Sequence, residues 1–412
     1  MSVAPKEPAR INTQTAQPEA LGKRPRLTIQ QTALPAYRAP LFKAIAALPE
    51  TQFKLVFGSE APALKNVSPE GFAGEFAPFK RIDLPGIGTL IWHGAQWRLA
   101  SGRESELLVL NANTRVISLL PAMLRARVNK LPIAIWGHGY SKSPAAWRNW
   151  LRRLPVALAD AVLLYDPQTK HRLVDDGVDP SKIFVAANGL DRRAILAAQK
   201  PWRDDPSALD AFKAENGLNN GPVLIHLSRL LADNRLDIAI ESLPHLSRAF
   251  PGIKLVVVGD GADERSRLER IATQAGVQEH IVWVGALYDE ASLAPWMMSA
   301  DLFVYPKNVG LSLIHGFNYG LPAALCGPLS EHNPEISAFS DGVNGCLAQH
   351  TNAASFAETV ASKLGAPHQL DAMAKAAFLT AAEQFNVEKM AATFGELAQF
   401  LLTKRLASAS GQ

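Results

Sequence analysis

Residues Asp301–Cys326 read DLFVYPKNVGLSLIHGFNYGLPAALC. The stretch opens on an apolar run, Asp301–Tyr305, and passes through Lys307–Gly310 into a short helical pattern from Leu311. It returns through Gly320-Leu321-Pro322 to a second apolar run, Ala323–Cys326. Runs that are apolar throughout, rather than alternating, belong to strands covered on both faces. A strand, a helix and another such strand make the repeating unit of a parallel sheet with right-handed crossovers. Gly310, where the helix opens, leaves backbone N–H groups without intrahelical acceptors. That suits a bound diphosphate, and it equally suits an ordinary strand-to-helix turn.

The same rhythm runs outward in both directions. In the second half, strands are expected at Val223–Leu227, Lys254–Val258 and Ile281–Val284. In the first half they are expected at Leu27–Gln31, Phe53–Phe57, Leu107–Leu110, Pro132–Trp136, Ala161–Tyr165 and Ile183–Ala186. Helical patterns fill the gaps, among them Ala39–Leu48, Thr114–Arg127 and Ala145–Ala159. The loop tetrad Asn219-Asn220-Gly221-Pro222 restarts the series, with a polar stretch at Pro201–Pro206 before it. A chain of 412 residues exceeds one comfortable core. The reading is therefore α/β, with two Rossmann-like doubly wound domains facing a central cleft, where the carboxyl ends of the strands meet ligands. Expected boundaries are a loose tail over 1–26, an N-terminal domain over 27–200, a C-terminal domain over 201–385, and a last segment, 386–412, returning toward the first domain. The patterns Leu370–Gln384 and Val387–Leu402 are each apolar on one face and must dock.

Composition narrows the function classes. Cys326 and Cys346 are the only cysteines, and neither they nor the ten histidines show a zinc spacing, so no metal or cofactor is expected. The balance of 42 Lys+Arg against 38 Asp+Glu is mildly basic. It favours anionic small partners and is too weak to argue for nucleic acid. No apolar stretch reaches the roughly 20 residues of a spanning helix, and the N-terminus lacks the apolar region of a secretory signal. A cytoplasmic protein is expected.

Several short motifs in a fixed order carry a resemblance. Asn188-Gly189-Leu190-Asp191, Ser228-Arg229-Leu230, Val258-Gly259-Asp260-Gly261, the run Tyr305–Pro322, Pro334-Glu335-Ile336 and Asp341-Gly342-Val343-Asn344-Gly345 follow one another. Each is weak alone; together they resemble glycosyltransferase family 4 and its GT-B relatives, well over residues 185–350 and loosely before. The resemblance implies a GT-B fold whose second domain holds a nucleoside diphosphate sugar as donor. It implies donor contacts at Ser228, Gly259, Gly261, Asn308, Val309, Gly310, Leu311, Ser312 and His315, and catalytic roles for His138, Arg229 and Arg235. Two departures stand out. The family's paired glutamates fall on Lys307 and His315, and its basic lysine falls on Asn234 with Arg235 beside it. A neutral imidazole still exchanges hydrogen bonds with ribose hydroxyls, and Arg can grip a phosphate bidentately. Arg235 reads equally as a solvated charge at a helix start. His138, between Gly137 and Gly139 after an apolar strand, reads either as an acceptor-side group or as a structural loop histidine.

Trp147-Arg148-Asn149-Trp150-Leu151-Arg152-Arg153-Leu154 suits the headgroup boundary of an anionic membrane, with His93 and Trp97-Arg98 adding to it. It equally suits a helix with tryptophan in the core. The expected activity is a hexosyl transfer from a nucleoside diphosphate sugar to a lipid-linked or glycan acceptor. By the resemblance it proceeds with retention, in bacterial surface polysaccharide synthesis on the inner face of the plasma membrane. A nucleotide-sugar epimerase on the same fold and a non-catalytic nucleotide-sugar-binding module are the alternatives.

Overall fold

The computed structural model describes residues 24–59, 65–84, 88–113, 115–139 and 153–410. The expected tail up to Lys23 and the tryptophans of the proposed membrane segment, Trp147 and Trp150, lie outside them.

Among the described residues, nine strands form in the first half. They are β1 (Arg26–Gln31), β2 (Gln52–Phe57), β3 (Ala73–Phe76), β4 (Lys80–Leu84), β5 (Gly88–Trp92), β6 (Leu107–Asn111), β7 (Ile133–Trp136), β8 (Ala161–Leu164) and β9 (Ile183–Val185). Seven join in the order β3-β2-β1-β6-β7-β8-β9, all parallel, while β4 and β5 pair antiparallel as a separate hairpin. Six strands follow in the second half: β10 (Val223–Leu227), β11 (Lys254–Val258), β12 (Ile281–Gly285), β13 (Leu302–Val304), β14 (Ala323–Cys326) and β15 (Gly345–Ala348). Their order is β12-β11-β10-β13-β14-β15, again parallel. This is the doubly wound order, in which the chain starts mid-sheet, works to one edge, then returns and works to the other. Each sheet therefore has one switch point, between β1 and β6 and between β10 and β13, where neighbouring loops diverge and leave a crevice.

Apolar clusters cover both faces of each sheet. That explains why the central strands carry no alternation: Leu107–Leu110 and Leu255–Val258 are buried at every position. The edge strand β3 and the β4–β5 hairpin were not expected, because AGEF and KRIDL are largely exposed and lack a continuous apolar run. The helix expected over Thr114–Arg127 begins only at Leu119. Ser118 turns inward instead, its hydroxyl donating to Gln96 Oε1 at 2.7 Å and accepting from His93 N–H at 3.0 Å.

The chain crosses between the sheets twice, at one place. Leu190 and Asn386 form an isolated parallel bridge, with Leu190 N–H donating to Phe385 O and Val387 N–H to Leu190 O, each at 3.3 Å. A Cβ on Gly189 would overlap the Asn386 carbonyl, so only glycine allows the two strands of chain to touch. Helix Arg192–Asp204 lies against the second domain, where Arg192 Nε reaches Asn318 Oδ1 at 2.7 Å and Gln199 Nε2 reaches Asn318 O at 3.1 Å. The last helix, Val387–Ser410, goes the other way. Its Val387, Met390, Phe394, Leu397 and Leu401 enter the cluster beneath β1, β6 and β7. Phe394 meets Trp136 edge-on with ring centroids 4.9 Å apart.

Phe394→Ala should therefore destabilise the first domain, whose last strand ends at Val185 and whose final helix begins only at Val387. Both rings are fully buried, so the cavity should cost about 3–5 kcal/mol in urea denaturation. A loss below about 1 kcal/mol would show that the helix docks through other contacts.

Candidate active site

At the carboxyl end of β10, Ser228 is the hub of a hydrogen-bond cluster. His226, fully buried in β10, has Nδ1 at 3.0 Å from Val304 O and Nε2 at 2.9 Å from Ser228 Oγ. A carbonyl only accepts, so Nδ1 carries the proton and Nε2 is left as an acceptor facing the Ser228 hydroxyl, which also lies 2.8 Å from Arg229 O. Burial pushes the His226 imidazole down to about 4, which keeps it neutral. Asn234 Nδ2 donates to Ser228 Oγ at 2.9 Å and to Arg229 O at 2.7 Å. Asn234 thus braces the loop from the position where the resemblance places a lysine.

Gly259 and Gly261 do not offer their amides to a ligand. Gly259 N–H donates to Gly285 O at 2.8 Å, and Gly261 N–H to Asp260 Oδ1 at 2.7 Å. Their role is close approach: a Cβ on Gly259 would overlap Ser228 O, and one on Gly261 would overlap Leu230 O. Gly259 also sits at φ +145°, which strains any other residue.

Across the switch point, Asn308 adopts a left-handed conformation, φ +58°, and turns the chain into helix Leu311–Asn318. Val309 is fully buried and gives its N–H to His332 Nδ1 at 3.2 Å, so it shapes the turn without facing the cleft. Gly310 caps the helix, and the N–H groups of Leu311 and Ser312 fall in its first turn, where no intrahelical carbonyl is available. Glu335, buried, comes to this same helix start: a Cβ on Gly310 would lie 3.8 Å from Glu335 Oε2. Its other oxygen accepts from Asn188 Nδ2 at 2.6 Å.

The cations divide. Arg229 is exposed beside the Tyr305 hydroxyl, and among the described residues no carboxylate pairs with it. Arg235, at φ +53°, is held by Asp237, with Nε 3.1 Å from each carboxylate oxygen. Its expected phosphate contact therefore competes with an ion pair already made. Lys307 pairs with Glu331. His315 Nε2 lies 2.9 Å from Glu290 Oε1, and the Tyr319 hydroxyl donates to the same oxygen at 2.5 Å. Against the cost of burial, the His315 bond holds the Glu290 carboxyl below its ordinary range. Position 315 thus brings a carboxylate to the site after all, supplied by a neighbouring helix, and leaves Nδ1 as the imidazole atom able to meet a ligand.

The first domain contributes a cavity of about 440 Å³ at its own switch point, lined in part by Gln31, Arg38, Asn111, Arg115, His138 and Tyr165. His138 follows β7 and its ring lies 4.7 Å from that of Tyr165. Burial pushes the Tyr165 hydroxyl above its ordinary value, although Arg38 opposes this; Glu335 of the second domain acts on the same hydroxyl across the cleft. Of the residues expected to be near a membrane, His93 is buried, with Nε2 3.0 Å from Ala77 O and its ring against Phe79, so it is not a surface group. Arg98 is tied to Glu75 and Glu104. Trp97 is exposed, with the Arg125 guanidinium 4.5 Å from its ring.

The structure thus gathers Ser228, Arg229, Asn308, Gly310, Leu311 and Ser312 at one crevice and His138 at the other. It places Gly259, Gly261 and Val309 as supports. Sequence reading missed His226, Glu290, Glu335 and Arg38 as members. The signal for His226 was a single polar residue inside an otherwise apolar buried strand; Glu335 stood within a noted motif without being assigned a role.

Two facing Rossmann-like domains with parallel sheets and crevices at both switch points define a GT-B enzyme fold. Residues 221–365 match the family model described as "Glycosyl transferases group 1". A GDP-mannose-dependent alpha-(1-6)-phosphatidylinositol monomannoside mannosyltransferase of Mycolicibacterium smegmatis is 28% identical over 311 residues, covering 73% of this chain and 78% of that one. HepE of Anabaena in complex with UDP superposes with a TM-score of 0.68 at 18% identity, covering 91% of this chain and 99% of that one. A glycosyltransferase from Rickettsia africae gives 0.69 at 14% identity, over 93% and 99%. The chain has the GT-B architecture of a transferase enzyme, and its residues 221–365 are similar to the group 1 glycosyl transferases.

His226 gives the site an acid limit. Its folded value lies below the ordinary 6.5, so the unfolded chain binds the extra proton first. Stability is complete above about pH 6.5 and falls as the pH drops toward about 4, by up to about 3 kcal/mol. Urea denaturation across that window should show this slope, and His226→Gln should flatten it; an equal slope in both proteins would assign it elsewhere.

Proposed function

We propose that the protein transfers a hexosyl group from a nucleoside diphosphate sugar to a hydroxyl of a lipid-linked or glycan acceptor, with retention, in bacterial surface polysaccharide synthesis. The observation that carries this reading is the pairing of two crevices. An open helix start with an unpaired arginine lies on one side, and a cavity with His138 lies on the other, with Glu335 and Tyr165 meeting between them. The donor diphosphate would rest on the Leu311 and Ser312 amides and the Arg229 guanidinium, and the nucleoside ribose on the His315–Glu290 pair. The bond from anomeric carbon to diphosphate oxygen breaks, the acceptor oxygen bonds to that carbon, and the acceptor proton passes to the leaving diphosphate. No side chain need act as nucleophile; positioning and stabilisation of the leaving charge do the work. Glu335, at the start of the same helix, would hold hydroxyls of the transferred sugar. The activities named for the mannosyltransferase of Mycolicibacterium smegmatis and the UDP bound by HepE support a nucleoside diphosphate sugar. The donor and acceptor are taken to need no metal. Contact with an anionic membrane surface would use the exposed Trp97 with its Arg125 neighbour, in a protein working on the cytoplasmic side.

Arg229→Ala tests the reading, since the side chain is exposed and its loss leaves the fold intact. Turnover of the preferred donor from a panel of nucleoside diphosphate sugars should fall about 10²–10³-fold, equal to about 2.7–4 kcal/mol of transition-state stabilisation, at an unchanged melting temperature. Wild-type kinetics would remove Arg229 from the site. An epimerised sugar nucleotide, formed without acceptor, would overturn transfer itself.

A further inference from the structure

The N-terminal cavity holds more positive charge than its surroundings balance. Its described lining includes Arg38, Arg115 and His138 and contains neither aspartate nor glutamate. The Arg38 guanidinium lies over three rings, 5.0 Å from the Trp136 centroid, 5.3 Å from Tyr165 and 5.5 Å from Tyr37. The hydroxyls of Tyr37 and Tyr165 accept from part of its fork, and the aromatic faces attract the cation, but neither is a full counter-charge. Among the described residues no carboxylate pairs with Arg38 or Arg115, and Arg38 Nη1 is buried without a hydrogen-bond partner. A second donor is left over nearby. Gln31 is 8% exposed at the end of β1, and its Oε1 accepts from Asn111 Nδ2 at 3.2 Å. Its Nε2 is consequently buried with no partner.

A buried guanidinium N–H and a buried amide left without acceptors are unfavourable unless an acceptor completes them. Two unmet donors line this cavity, Gln31 at the end of β1 and Arg38 in the turn that follows it, and they share one remedy: an anion between them. The fork of Arg38, the Gln31 amide and the Arg115 head at the rim present donors from different directions. A tetrahedral oxyanion accepts such an arrangement more fully than a planar carboxylate does. The donor diphosphate is accounted for at the Leu311 helix start on the other side of the cleft.

We propose that this cavity binds a phosphate group carried by the acceptor, so that the acceptor is a phosphorylated compound anchored by Arg38, Arg115 and Gln31 with its reacting hydroxyl directed to the cleft. This rests on the transferase reading for the word acceptor, but the anion site itself is testable alone. Isothermal titration of the full chain with inorganic phosphate should show one saturable site. Arg38→Gln and Arg115→Ala should each weaken it about tenfold or more, and Arg38→Lys should recover part of the loss. Arg115 is exposed, so its variant keeps the test valid if Arg38→Gln fails to fold. Absence of phosphate binding in the wild type, or equal binding by the variants, overturns the proposal.

Competition then identifies the source of the phosphate. Displacement of inorganic phosphate by glycerol phosphate assigns a soluble ester. Displacement by phosphatidylcholine vesicles containing phosphatidylinositol, with pure phosphatidylcholine inert, assigns a lipid headgroup. Displacement by neither overturns the acceptor role. A thermal-shift screen of nucleoside diphosphates and their sugars separates the two readings. Stabilisation by these without a phosphate site sinks only the present proposal; a phosphate site without such stabilisation sinks the transferase reading and leaves the anion site.

Discussion

The backbones of Gly189 and Asn386 touch, and the rest of the molecule is arranged around that contact. Both passages of the chain between its two sheets run side by side there, joined by hydrogen bonds through Leu190. Because the contact is between main chains, it admits no side chain at position 189 and fixes the direction in which each passage leaves. Helix Arg192–Asp204 is delivered to one domain and helix Val387–Ser410 to the other. Asn188, adjacent to the contact, reaches Glu335 and so links the crossing directly to the start of helix Leu311–Asn318. The geometry of the cleft is thus set by a few residues beside it that need not touch any substrate.

Within the cleft, stability and chemistry use the same atoms. His226, Ser228 and Asn234 satisfy one another beneath the loop that presents Arg229. Gly259 and Gly261 let the neighbouring loop close over that cluster. Arg235 and Lys307 are restrained by carboxylates, whereas Arg229 is not. This separation leaves one mobile charge for the ligand while the others hold shape. The left-handed conformations of Arg235 and Asn308 mark where the backbone is bent to bring the two loops together.

Much of the architecture was legible because parallel sheets bury strands on both faces. Val223–Leu227 and Lys254–Val258 stand out as mainly apolar runs without alternation, and their bounds coincide with β10 and β11. The β3 edge strand and the β4–β5 hairpin were not legible, since strands exposed on one or both faces need no apolar pattern. The site was legible only as a set of turns. Glycines, prolines and the first helical residues mark where a ligand approaches backbone, but partners from distant segments leave no local trace. Glu290 lies 25 positions from His315 and Glu335 lies 147 from Asn188. Nothing near His315 in sequence shows that a carboxylate is supplied from another helix.

The docking of Phe394 onto Trp136 has a further consequence for how the molecule is made. The first sheet is complete in sequence by Val185, yet one of its faces stays open until residues 387–410 have left the ribosome. Synthesis proceeds at about 5–20 residues per second, so that face waits roughly 10–40 seconds while the whole second domain is produced. The second domain, contiguous from Val223 to Ala348 in its sheet, can close first. Order of birth and order of completion are therefore reversed, and the nascent first half is the part exposed to chaperones.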